Sequence, residues 1–242
     1  MKFTRSAKFA LAAAASAALA VSLLTPAQAA TRSTVVVHDT NSLTSFNSGT
    51  PDTNLTINSA VGYLTGIGFN YYDDKKNVIQ NKTFGSYKVV KNNASDFRVQ
   101  YTVNPGRLWS DGTPITAVDL LLSHVLSSNA YSKAAGLGDP DSDNVPAFNS
   151  NGYGGTYSDN IVGEPVLSAD KMSLTLRYKQ KIANWDLFGP GPSDVHSLVL
   201  MSEGKKSLQS VKENEAARDR FLAAFNSKNT AVLKAIGKVW SN

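Results

Sequence analysis

From Phe97 to Val103 every second residue is apolar: Phe97, Val99, Tyr101 and Val103 alternate with Arg98, Gln100 and Thr102. Successive side chains of a strand point to opposite faces, so this pattern is satisfied by a strand half-buried in a sheet with one packed face. A partner precedes it, Tyr87-Lys88-Val89-Val90, and the polar residues 92–96 between the two predict a hairpin turn. A second alternating run, Met172 to Tyr178, follows the turn-like Ser168-Ala169-Asp170-Lys171 and predicts a further strand. Such a sheet needs other elements to cover its apolar face.

Those elements read as helices. Leu55, Ile57, Val61 and Leu64 suit a helix over residues 55–64, ended by Gly66 and Gly68. Thr116 with Asp119 three residues on forms a capping-box signature, and Val118, Leu121, Leu122 and Val125 make the buried stripe of a helix over 117–128. Leu208, Val211, Phe221, Leu222 and Phe225 suit one long helix, broken or bent near its middle, and Val232, Leu233, Ile236, Val239 and Trp240 suit a second. Val35-Val36-Val37 reads as a short strand buried on both faces. Residues 39–53 and 136–157 carry Gly, Pro, Asp, Asn and Ser without periodicity and read as loops, the second long enough to be functional or an insertion. Hairpins and helices without regular βαβ alternation give a mixed α/β, α+β-like fold.

The N-terminus dictates where the chain works. Lys2, Arg5 and Lys8 precede an apolar run from Phe9 to Leu24, interrupted only by Ser16 and Ser22 and stopped at Thr25-Pro26. The run falls short of the ~20 apolar residues that span a bilayer, and Ala27-Gln28-Ala29 is a small-x-small cleavage pattern. Residues 1–29 therefore read as a secretion signal cut after Ala29, leaving residues 30–242 outside the cytoplasm. The chain has no cysteine, so neither a lipid-anchored cysteine nor a disulfide is available, and stability must come from a core. The formal charge is +5, but three of the cations leave with the signal. Lys75-Lys76 and Lys205-Lys206 read as solvated surface, not as a nucleic-acid patch.

Catalytic and metal signatures are missing. His38, His124 and His196 stand far apart in no metal-ligand spacing, and there is no G-x-S-x-G elbow, Walker loop or dinucleotide fingerprint. Asp139-Pro140-Asp141-Ser142-Asp143-Asn144 alternates oxygen ligands as a calcium loop does. It has Asn144 and Ser150 where an EF-hand needs Gly and Glu, and reads as a solvated acidic turn. No catalytic residue, metal or cofactor is expected.

The most specific segment is Gly106-Arg107-Leu108-Trp109-Ser110-Asp111-Gly112-Thr113-Pro114-Ile115-Thr116-Ala117-Val118-Asp119. Asp111-Gly112 suits a tight turn, Pro114 holds Thr113 extended and Thr116 caps the helix. This order resembles the signature of the family 5, oligopeptide-type, extracellular solute-binding proteins of bacterial ABC importers. Ser42-Leu43 with residues 49–53 resembles the family's stretch after the first strand, and residues 170–188 resemble its later strand leading to a helix near Trp185. The resemblance covers residues 35–188.

It implies a type II periplasmic-binding-protein-like fold, of which this chain holds the first lobe and the small inserted lobe and stops before the second ligand-holding lobe. It implies a monomer that captures a peptide or similar small solute for ABC permease subunits, with no nucleic acid involved. By the family's backbone pairing with its ligand, Ser48, Gly49 and Thr50 become candidate ligand contacts, with Tyr131 as another. Trp109 and Asp111 are expected to be structural. Two other readings stand beside this one: a secreted hydrolase or wall-modifying enzyme using His124 or His196, and a surface carbohydrate-binding module using Tyr153 and Tyr157.

Overall fold

The computed structural model describes Val36, residues 38–142 and residues 145–242. The expected secretion signal over residues 1–29, Val35 and Val37 of the expected first strand, and Asp143 and Asn144 of the acidic turn lie outside these. Val36 and residues 38–40 are exposed and form neither helix nor strand. Residues 41–242 form one compact unit.

That unit begins with an irregular segment and helix α1 (Thr56–Thr65), followed by a small hairpin of β1 (Asn70–Tyr72) and β2 (Val78–Gln80). Strands β3 (Gly85–Asn93) and β4 (Asp96–Val103) come next. A 3₁₀ turn (Ala117–Leu120) runs into α2 (Leu121–Ser127), and α3 (Asn129–Ala134) follows. After a long loop come α4 (Thr156–Asn160), β5 (Val166–Leu167) and β6 (Ser173–Tyr178). The chain closes with α5 (Val195–Ser202), α6 (Val211–Ser227) and α7 (Thr230–Trp240).

The main sheet is antiparallel in the order β3-β4-β6-β5. Phe97, Val99, Tyr101 and Val103 are all buried, as the alternation requires, and β6 meets them in register: Phe97 opposite Tyr178, Val99 opposite Leu176, Tyr101 opposite Leu174. Each fully buried aromatic or leucine here contributes about 1.5–3 kcal/mol of transfer free energy. The β3–β4 turn is tighter than residues 92–96 suggest, because Asn93 pairs directly with Asp96. Lys91, Arg98 and Arg177 all pair with the Asp96 carboxylate, so the polar residues extend the ladder instead of leaving it. The fold is mixed α/β: the apolar face of the sheet and the helices share one core, which includes Leu120 and Leu121, Val195 and Val199, Phe221 and Phe225, and Leu233 and Ile236.

Two helical expectations need correction. The long C-terminal helix neither begins at Leu208 nor breaks. Ser210 caps it by accepting from Glu213 N–H at 3.3 Å, and α6 runs unbroken to Lys228, whose left-handed backbone (φ 51°) stops it. Its buried stripe is Asn214, Ala217, Arg218, Phe221, Ala224 and Phe225, so polar residues hold the inward positions of its first turns and disguise the helical period. The helix expected near Trp185 is only a 3₁₀ turn, Trp185–Leu187. Pro190 and Pro192 keep the chain extended, and α5 starts after them at Val195, capped by Asp194.

Candidate functional site

The segment around Ser48, Gly49 and Thr50 is held by side chains from three other parts of the fold. Asn58 of α1 is fully buried: its Oδ1 accepts from Thr44 N–H (3.1 Å) and Ser45 N–H (3.3 Å), and its Nδ2 donates to Thr53 C=O and Thr44 Oγ1, both at 2.9 Å. One asparagine thus clips both ends of the loop. Asn47 turns the chain back on itself by accepting from Gly49 N–H at 2.9 Å, and its amide donates to Trp240 C=O at 2.6 Å. Asn151 reaches in from the long loop, its N–H donating to Gly49 C=O at 2.9 Å and its Nδ2 to Ser48 C=O at 3.2 Å. Thr50 is buried and shares a 2.7 Å hydroxyl hydrogen bond with Thr53.

The glycine here answers to the chain's own packing. A Cβ on Gly49 would stand 2.9 Å from Cζ2 of Trp240, so the indole rests directly on the backbone. Both backbone groups of Gly49 already have partners, and a ligand strand pairing with Gly49 must displace Asn47 or Asn151. Tyr131 does not join this segment. Its ring stacks on Phe225 at 4.6 Å between centroids, its hydroxyl donates to Phe225 C=O at 2.8 Å, and it is buried in the core.

The Gly106–Asp119 segment folds as its residue types require. Trp109 N–H donates to Thr113 C=O at 2.8 Å, Gly112 supplies the positive φ of 87°, and Asp111 Oδ1 accepts from Thr113 N–H at 2.9 Å. Thr116 and Asp119 make the expected capping box. The polar stripe of α6 is explained at this point. Asn214 Nδ2 donates to Asp111 Oδ2 (2.9 Å) and to Thr113 Oγ1 (2.8 Å), while Arg218 donates to Pro114 C=O and lies 3.7 Å from Asp119 Oδ2.

His196 of α5 completes the cluster. Its Nε2 stands 2.9 Å from Asp111 Oδ2 and its Nδ1 2.8 Å from Asp194 Oδ1, the second contact lacking the alignment of a hydrogen bond. Burial alone would lower the imidazole pKa, but the flanking carboxylates overcome it and hold the ring above its ordinary value. Burial likewise works to raise Asp111 and Asp194, but the hydrogen bond from Thr113 N–H to the first, and the close His196 imidazole together with the hydrogen bond from Ser197 N–H to the second, hold both below the usual carboxylate range. Burial pushes Asp119 up to about 6. With a carboxylate on each side of its ring, His196 is arranged as a clasp between the Asp111 turn and the start of α5.

The other candidate side chains are similarly occupied. His124 is buried, its Nδ1 is 3.0 Å from the Tyr157 hydroxyl, and burial lowers its pKa to about 4. Tyr153 donates its hydroxyl to Val125 C=O at 2.9 Å. Lys133 pairs with Asp139 (2.9 Å) and Asp141 (2.7 Å), so a cation of the protein's own sits on the carboxylates of the acidic turn. Among the described residues no group of three or more His, Asp or Glu is placed to hold a metal ion, and no helix is long and apolar enough to cross a membrane.

The roles of Asn47, Asn58, Asn151 and Trp240 at this segment do not follow from sequence reasoning. The Asn47-Ser48-Gly49 triplet carries a usable turn signal, whereas Trp240 meets the segment from 193 residues away and cannot be paired with it by pattern. No family model matches the chain, and no curated protein does. Among solved structures it is similar to a periplasmic EDTA-binding protein, EppA (TM-score 0.47, 14% identity, 70% of this chain and 27% of that one). It is also similar to the oligopeptide-binding protein from Thermus thermophilus solved with a pentapeptide (TM-score 0.38, 15% identity, 71% of this chain and 28% of that one). The chain spans little more than a quarter of the length of either protein.

Proposed function

We propose that this chain is an extracytoplasmic solute-binding component of an ABC importer, a monomer that captures a peptide or similar small solute and delivers it to permease subunits. The observation that carries this reading is the Gly106–Asp119 segment, where the turn aspartate, the glycine and the capping threonine each perform the structural task that the resemblance to family 5 binding proteins assigns. The N-terminal basic and apolar pattern supports export. Ser48, Gly49 and Thr50 are the proposed ligand segment, with the Asn151 contacts exchanged for those of the ligand. Tyr131 serves packing in this reading.

A hydrolytic role finds less support, since His196 is committed to two carboxylates and His124 to Tyr157. Carbohydrate binding on Tyr153 and Tyr157 finds less as well, because both hydroxyls are directed to groups of the chain itself.

The test is thermal denaturation of the exported chain against a library of short peptides. A ligand bound only by the folded state raises the apparent Tm. At least one peptide should do so and be recovered uncleaved; no shift across the library would overturn the peptide form of the proposal.

A further inference from the structure

A cavity of about 560 Å³ opens where α5, the connection 203–210 and the start of α6 meet, within the size range of small-molecule sites. Its walls include Leu200, Met201 and Leu208, and the last two are 56% and 83% exposed, so apolar surface is open to a ligand there. Asp111 and Asn214 line its inner side. Two carboxylates, Asp111 and Asp194, flank one imidazole, so this end keeps a net negative charge even with His196 protonated. Lys205 and Lys206 bring the opposite charge to the same cavity. Neither has an ion-pair partner among the described residues, and the nearby Glu203 is taken by Arg220 at 2.9 Å.

We infer that this cavity binds a free apolar α-amino acid. The ammonium group faces the negative end and pairs with the Asp111 carboxylate, the carboxylate pairs with Lys205 and Lys206, and the side chain covers Leu200, Met201 and Leu208. A purely anionic or purely cationic ligand would meet charge of its own sign at one end, whereas a zwitterion meets complementary charge at both. The inference is independent of the solute proposed for the Ser48–Thr50 segment, since the two sites share no residue.

Isothermal titration of the whole exported chain with L-leucine, L-methionine and L-phenylalanine tests this. At least one should bind. Its N-acetyl and carboxamide derivatives, each lacking one charge, should bind at least about tenfold more weakly, a change worth about 1.4 kcal/mol. The variant Lys205→Ala/Lys206→Ala, altered only at exposed side chains, should weaken binding about tenfold with an unchanged Tm, and Met201→Glu should weaken it further. No binding of any of the three at ~10 mM, equal affinity for the blocked derivatives, or equal affinity in both variants would overturn the inference. A dipeptide binding as tightly as its free N-terminal amino acid would overturn it too, by assigning the cavity to peptide ends.

Discussion

Asp111 Oδ2 lies 2.9 Å from His196 Nε2, across 85 residues of sequence, and the same oxygen accepts from Asn214. One carboxylate therefore joins the turn of the Gly106–Asp119 segment to both α5 and α6. Asp111→Ala would strip the acceptor from a buried imidazole and a buried amide at once. Removing one partner of such a buried pair costs about 3–5 kcal/mol. Urea denaturation should show a loss of this size, and a cycle with Asn214→Ala should show the two losses to be non-additive.

The clasp has a defined pH window. The pKa of His196 is raised on folding, so its contribution is fully present below the free imidazole value of ~6.5 and is lost as pH rises through the higher folded value. Asp111 and Asp194 are depressed, so theirs is present above ~3.8 and is lost as pH falls through their folded values. The stability difference between wild type and His196→Gln should thus be larger near pH ~5 than near pH ~9.

His124 responds in the opposite direction. Its folded value of about 4 lies below the free value, so the buried neutral ring is favourable above ~6.5 and increasingly costly as pH falls toward 4. The full effect is about 3 kcal/mol. Between pH ~7 and ~4 the His124→Gln variant should lose less stability than wild type in parallel denaturation curves.

Gly49 and Gly237 should resist substitution for different reasons. A Cβ at Gly49 meets the Trp240 ring at 2.9 Å, and one at Gly237 meets the backbone oxygen of Ala147 at 2.5 Å. Overpacking of this kind costs about 1–3 kcal/mol. Gly49→Ala should be partly rescued by Trp240→Leu, which removes the obstruction. Gly237→Ala should not be rescued by any side-chain change, because its obstruction is main chain. Melting temperatures of the single and double variants distinguish the two cases.

Local rules make much of this fold legible and long-range contacts make the rest opaque. The alternation of Phe97–Val103 and the Thr116–Asp119 cap reproduce directly, because neighbours in sequence decide them. Helix α6 reads as broken in sequence because Asn214 and Arg218 occupy its buried face to serve Asp111, Thr113 and Pro114, about a hundred residues earlier. Position 49 reads as a glycine suited to close approach by another chain. The approaching group is Trp240 of the same chain, and the 193 residues between Asn47 and its bond to Trp240 leave no trace in local pattern.

Native mass spectrometry of residues 30–242 mixed with a degenerate tri- to pentapeptide pool tests the central proposal most directly, since it reads binding and turnover together. The expected result is a 1:1 non-covalent complex of unaltered peptide mass. A chain that retains no peptide, or that releases peptide fragments, would contradict a solute-binding role.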